Sequence, residues 1–230
     1  MLRSSKILAV DLDGTLTRGG EDEVKPWIRK ALTSLREMGW KLILATGRDR
    51  RYIMRRWDLK NLFDAWVLEA GLAVYIPETG EYRCFADETW RSMIKKLARL
   101  PFIEEKENTI SFNEKHLKKV RREVESMGLR VVFKNNRGVI IILPPGVDKG
   151  SGLKEALKLL DVQGFVAAIG DSEIDQELLE AADFRAAVAD GDPEVKRIAD
   201  YIAKKKDGEG VMEVIDLLLS LELPLFFRLF

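Results

Sequence analysis

Asp11 and Asp13 stand either side of Leu12, directly after the apolar run Ile7-Leu8-Ala9-Val10 and just before Gly14-Thr15. Along an extended backbone alternate side chains share a side, so both carboxylates are expected to face one place. Two carboxylates that close repel unless a cation lies between them or one keeps a proton. The pair therefore predicts a hard, oxygen-seeking cation, Mg2+ in particular. An acidic β-turn is the plain structural alternative. An EF-hand loop fits poorly, because its sixth position is glycine and here, counted from Asp11, it is Leu16.

Other polar groups recur at comparable places. Thr46-Gly47-Arg48 follows the apolar run 41–45, Lys149 opens Lys149-Gly150-Ser151-Gly152, and Asp171 and Asp175 lie in Gly170-Asp171-Ser172-Glu173-Ile174-Asp175. Each alone reads as an ordinary strand-to-helix turn or helix start. Together they bring several carboxylates to one sheet edge, an arrangement that is destabilising without a cation. The chain as a whole does not supply an excess of positive charge, since Lys+Arg and Asp+Glu are equal at 38 each.

The elements that must position these groups follow from hydrophobic periodicity. Ile7 to Val10 is short and apolar enough for a strand buried on both faces, and Gly14 permits a sharp turn at its end. Pro26 opens a helix with apolar residues at helical spacing, which Gly39 stops. Strands at 41–45 and 65–68 flank a helix at 49–57, so the α/β core is expected to be a doubly wound, parallel, Rossmann-like sheet. Ligands bind such sheets outside the carboxyl ends of the strands.

From Tyr75 the rhythm changes to hairpins and helices, with a turn at 77–80 and a strong hairpin signal at Asn135-Asn136-Arg137-Gly138. This predicts an inserted α+β module at 76–145, leaving 1–75 and 146–230 as the core. The apolar tail 223–230 is expected to dock either on its own core or on a second copy in a homodimer.

Composition narrows the function. With 46% apolar residues the chain can bury a sizeable core, and its charge balance predicts no nucleic-acid partner and no anionic membrane surface. The single Cys84 makes no internal disulfide, no window resembles a membrane span, and a cytoplasmic protein is expected. A P-loop is absent, because Gly-x-x-x-x-Gly-Lys-[Ser/Thr] does not occur.

In order, Asp11-Leu12-Asp13-Gly14-Thr15, Thr46-Gly47-Arg48, Asp148-Lys149-Gly150-Ser151-Gly152 and Gly170-Asp171-Ser172-Glu173-Ile174-Asp175 resemble the haloacid dehalogenase-type phosphohydrolases. The insertion is similar to the subgroup with an α/β (C2-type) cap at that place, and the short chain is most similar to archaeal phosphoglycolate phosphatases. The resemblance implies a Mg2+-dependent phosphomonoesterase acting on a small phosphorylated metabolite. 2-Phosphoglycolate comes first, and a sugar phosphate or mannosyl-3-phosphoglycerate is the alternative.

By the same resemblance, Asp11 is the nucleophile and Asp13 the general acid and base, a role in which a dianionic substrate favours the proton on Asp13. Thr46, Gly47 and Lys149 hold the phosphoryl group. Mg2+ is held by Asp11, the backbone carbonyl of Asp13 and Asp171, with Asp175 as a further ligand or as an anchor behind the ligands. Arg48 is a contact for an anionic substrate or a salt-bridged helix start. Two departures from the family pattern are Ile174 and Asp190, both at places where relatives commonly carry Asn. A phosphoacceptor signalling domain and a catalytically silent scaffold are the readings from other classes. The first fits poorly with Asp-x-Asp on the first strand, the second with intact Asp11, Asp13 and Lys149.

Overall fold

The computed structural model describes residues 5–19 and 22–226. The strands are β1 (Ser5–Val10), β2 (Trp40–Ala45), β3 (Ala65–Leu68), β4 (Ala73–Ile76), β5 (Glu81–Cys84), β6 (Glu104–Glu105), β7 (Ile110–Asn113), β8 (Val132–Asn136), β9 (Val139–Leu143), β10 (Gly164–Gly170), β11 (Phe184–Ala187) and β12 (Tyr201–Ile202). An eight-stranded sheet runs β12-β11-β10-β1-β2-β3-β4-β5, and a four-stranded sheet runs β6-β7-β9-β8. From β12 across to β3 all neighbours are parallel.

β1 lies at the centre and is buried on both faces, as its unbroken apolar run requires. Leu8 and Val10 join one apolar cluster, while Ile7 and Ala9 join the other. Helix Pro26–Glu37 covers the first face through Ile28, Leu32 and Leu35, each worth about 1.5–3 kcal/mol of burial. Helix Lys149–Leu159 covers the second face through Leu153 and Ala156. Trp27 and Met38, on the apolar spacing of the first helix, are exposed instead.

One expectation needs correcting. The turn at 77–80 was placed in the inserted module, but β4 pairs with β3 and β5 with β4, both antiparallel, as the edge of the larger sheet. The reason is burial: Val74 and Ile76 pack on one face of that sheet and Ala73 on the other, so β4 is a sheet strand. The larger sheet is therefore mixed. The smaller sheet begins only at Glu104, with helices Glu88–Leu97 and Leu117–Ser126 packed on it.

Ile174 explains how the smaller sheet meets the core. Its side chain is buried in the apolar cluster of the smaller sheet, with Ile140, Ile141 and Ile142 of β9. An Asn there would place an amide in that cluster. Ile174→Asn is expected to destabilise the chain by about 2–4 kcal/mol and to speed amide exchange in β8 and β9. Unchanged exchange and unchanged melting would contradict this packing role.

The side chains of the apolar tail 223–230 lie outside the described residues. No helix among the described residues is long and apolar enough to cross a membrane.

Candidate active site

Asp11, Thr46 and Asp171 each follow the last residue of adjacent parallel strands β1, β2 and β10. The predicted meeting place at one sheet edge therefore forms. Lys149 arrives from the side as the first residue of its helix, whose start is fixed by Asp148. The Asp148 carboxylate accepts from Ser151 N at 2.7 Å, while the Ser151 hydroxyl accepts from Asp148 N at 2.9 Å.

Lys149 Nζ donates to Asp11 Oδ1 at 2.6 Å and to Asp175 Oδ1 at 2.5 Å. All three residues are buried. The two carboxylates raise the Lys149 pKa despite burial, so the ammonium stays charged. Burial pushes the Asp11 carboxyl well above its ordinary value, opposed by Lys149 and reinforced by Asp175 and Asp171. Asp175 Oδ2 is held by Ser172 N and Ser172 Oγ, both at 3.0 Å, and by Asp171 N at 3.2 Å. Asp175 is thus the organiser of its own loop.

Asp171 Oδ1 accepts from the Thr15 hydroxyl at 2.8 Å, so a residue of the first motif orients a carboxylate of the last. Its other oxygen, Oδ2, is buried without a hydrogen bond, and only the ion pair with Arg137 Nη2 at 3.0 Å reaches it. Burial and the nearby Asp175 carboxylate push Asp171 up to about 6. Oxygens of Asp11, Asp171 and Asp175 all lie within 4.8 Å of one another. An all-carboxylate donor set with a buried oxygen lacking a donor suits a hard divalent cation. Gly14 leaves room for this arrangement, because at its φ of +93° a Cβ would stand 2.3 Å from Asp171 Oδ2.

Asp13 behaves differently from its partner. β1 has ended at Val10, and the Asp13 carboxylate is gripped by Arg48, Nε to Oδ2 at 2.9 Å and Nη2 to Oδ1 at 3.0 Å. Each carboxylate of the first motif therefore has its own cation, Lys149 for Asp11 and Arg48 for Asp13. Arg48 also lies over the Tyr52 ring at 4.4 Å. The Thr46 hydroxyl oxygen is buried and accepts from Arg48 N at 3.1 Å, which leaves its proton for another acceptor. Gly47, Arg48, Asp11 and Asp13 line one cavity of about 200 Å³ roofed by the smaller sheet.

The sequence places Arg137 at a hairpin tip that can face the site, and the structure brings it there. Arg137 and Gly138 hold φ of +50° and +86°, the pairing of a tight two-residue hairpin. That turn carries the guanidinium to Asp171, to Asp192 Oδ1 at 3.2 Å and to the Asp190 carbonyl at 3.2 Å. Glu69, Lys106 and Asn108, treated below, were missed. Their local sequence is merely charged, and only the fold aims them inward.

Comparison with known proteins agrees with this geometry. The family profile of haloacid dehalogenase-like hydrolases matches residues 8–98 and 82–215. Phosphoglycolate phosphatase 2 of Saccharolobus solfataricus is 30% identical over 93% of this chain and 92% of its own. A phosphoglycolate phosphatase of Methanosarcina acetivorans is 32% identical over 94% and 97%. The crystal structure of a haloacid dehalogenase-like hydrolase from Bacteroides thetaiotaomicron superposes with a TM-score of 0.75 at 21% identity, covering 94% of this chain and 100% of that one. With those matches, the edge built by Asp11, Lys149, Asp171 and Asp175 places this chain in the haloacid dehalogenase-like hydrolase family.

Proposed function

We propose that the chain is a phosphoric monoester hydrolase that uses Mg2+ and an aspartyl-phosphate intermediate, with 2-phosphoglycolate as its substrate. The observation that carries this reading is the buried Lys149 ammonium bridging Asp11 and Asp175 beside the half-satisfied carboxylate of Asp171. The relatives named phosphoglycolate phosphatase support the choice of substrate.

In this reading a carboxylate oxygen of Asp11 attacks phosphorus and the bond from phosphorus to the ester oxygen breaks. Asp13 delivers its proton to the departing alkoxide, then takes a proton from the water that cleaves the acyl phosphate. Inorganic phosphate leaves and the Asp11 carboxylate is restored. Lys149 and the Thr46 hydroxyl hold the phosphoryl oxygens as charge spreads over them. Mg2+, held by Asp11, Asp171, Asp175 and the Asp13 carbonyl, supplies further neutralisation of that charge.

Asp171 titrating at about 6 has a consequence for the cation, because a proton and Mg2+ compete for one carboxylate. Apparent Mg2+ affinity is expected to fall as pH drops through about 6, where Asp171 takes up its proton, and burial of Asp11 acts in the same direction. Calorimetric titration at several pH values checks this, and an affinity that is flat from pH 5 to 7.5 would contradict it.

Phosphate release from a panel of phosphomonoesters, with and without Mg2+, tests the function as a whole. Mg2+-dependent turnover with 2-phosphoglycolate ahead of hexose phosphates is the expected result. A preference for hexose phosphates moves the substrate to the sugar-phosphate class, and no turnover by the folded protein overturns the hydrolase reading.

A further inference from the structure

We infer that Lys106 is the specificity residue of this site, selecting phosphomonoesters whose leaving group carries a carboxylate of its own. The inference rests on the phosphatase reading above. The 200 Å³ cavity is lined by Asp11, Asp13 and Arg48 and, from the smaller sheet and its loop, by Glu104, Lys106, Ser111 and Asn136. That volume lies below the roughly 300–1,000 Å³ of sites for drug-sized ligands, so it suits a short ester.

The cations of the cavity and its floor are not equally engaged. Lys149 is committed to Asp11 and Asp175, and Arg48 to Asp13. Lys106 is 12% exposed, and its ion pair among the described residues is with Glu104 at 3.5 Å, whose carboxylate is 67% exposed. The Glu104 carboxylate, whose Oε2 accepts from Ser111 Oγ at 3.0 Å, is a weak partner for that ammonium at 3.5 Å. Lys106 is therefore the lining cation with attraction to spare, and it lines the same cavity as the Asp11 carboxylate.

Its position is fixed rather than left to the smaller sheet. Lys106 N donates to the Thr109 carbonyl at 2.9 Å, closing the short loop that carries it. The next residue, Glu107, is paired with Arg50 of the core at 2.6 Å. Asn108 then gives its backbone N–H and its Nδ2 to the two oxygens of Glu69, at 2.7 and 2.6 Å. Glu69 is buried after β3 at a φ of +49°, followed by Ala70 at +56°. Backbone held in that region persists where its surroundings enforce it, and here it presents a carboxylate to the Lys106 loop. Two consecutive residues thus anchor the loop to the core and hold Lys106 over the catalytic groups.

The experiment uses the full chain with Mg2+, comparing 2-phosphoglycolate with 2-hydroxyethyl phosphate, an ester of similar size without the carboxylate. Lys106→Gln is expected to raise KM for 2-phosphoglycolate about ten- to hundredfold, the loss of a charge-assisted contact. Its kcat/KM for 2-hydroxyethyl phosphate is expected to stay within about twofold, and Lys106→Arg to recover most of the lost affinity. Equal losses on both esters, or no loss on either, would overturn the Lys106 assignment while leaving the phosphatase reading in place. Failure of the wild type to hydrolyse either ester, with turnover of other phosphomonoesters in the panel, would overturn this inference alone, and failure on the whole panel would overturn the phosphatase reading with it.

Discussion

Asp11→Asn is expected to abolish phosphate release, lowering kcat by roughly four orders of magnitude or more, the scale seen when a covalent nucleophile is removed. The substitution is close to isosteric, and the amide oxygen still accepts from Lys149 Nζ, now 2.6 Å from Asp11 Oδ1. What is lost is the anionic oxygen that forms the bond to phosphorus. The substitution leaves the buried Lys149 ammonium one charged partner, Asp175, in place of two, and melting of the variant separates chemistry from collapse. A silent scaffold or a phosphate-binding module predicts the opposite pattern, with no turnover in either protein and similar phosphate binding in both. Turnover by Asp11→Asn comparable with wild type would remove Asp11 as nucleophile. The reaction would then have to begin elsewhere, with Asp13 another carboxylate lining the same cavity.

The groups on the sheet edge were legible because each follows its strand directly in sequence. An apolar run ending in acid or Thr-Gly-Arg announces both the strand and what stands at its carboxyl end, and β1, β2 and β10 all read this way. The β4–β5 hairpin was legible as a hairpin but not as an edge of the larger sheet. A turn signal says that two strands pair and nothing about what the first of them packs against. Ile174 drew notice as a departure near the cation site, yet its role is apolar packing against β9, a partner some thirty residues earlier. Lys106 carried no signal at all. In Glu104-Glu105-Lys106-Glu107-Asn108 every residue looks solvated, and inward placement comes from Glu69 and Arg50 on distant core segments.

Lys149→Met is expected to cost about 3–5 kcal/mol of stability, the scale for breaking a buried ion pair by removing one partner. Methionine roughly matches the volume, so packing changes little, but Asp11 and Asp175 are left facing each other in a buried site without their shared ammonium. For a chain of this size the melting temperature should fall by roughly 10 °C. The loss should depend on pH in a defined sense. Unpaired buried carboxylates keep their protons to higher pH when folded than when unfolded, where they titrate near about 4. The folded variant then binds more protons than the unfolded chain, so its stability rises as pH falls from neutrality toward about 4. The gap to wild type should therefore narrow in acid and be widest near neutral pH. Millimolar Mg2+ should also narrow it by giving the carboxylates another cation, while turnover stays down by about 10²–10³-fold because the phosphoryl oxygens lose the ammonium. Melting curves between pH 4.5 and 8, with and without Mg2+, read all of this out. A gap that is constant across pH would mean that the carboxylates do not bear the strain, and that Lys149 stabilises the fold through its methylene chain alone.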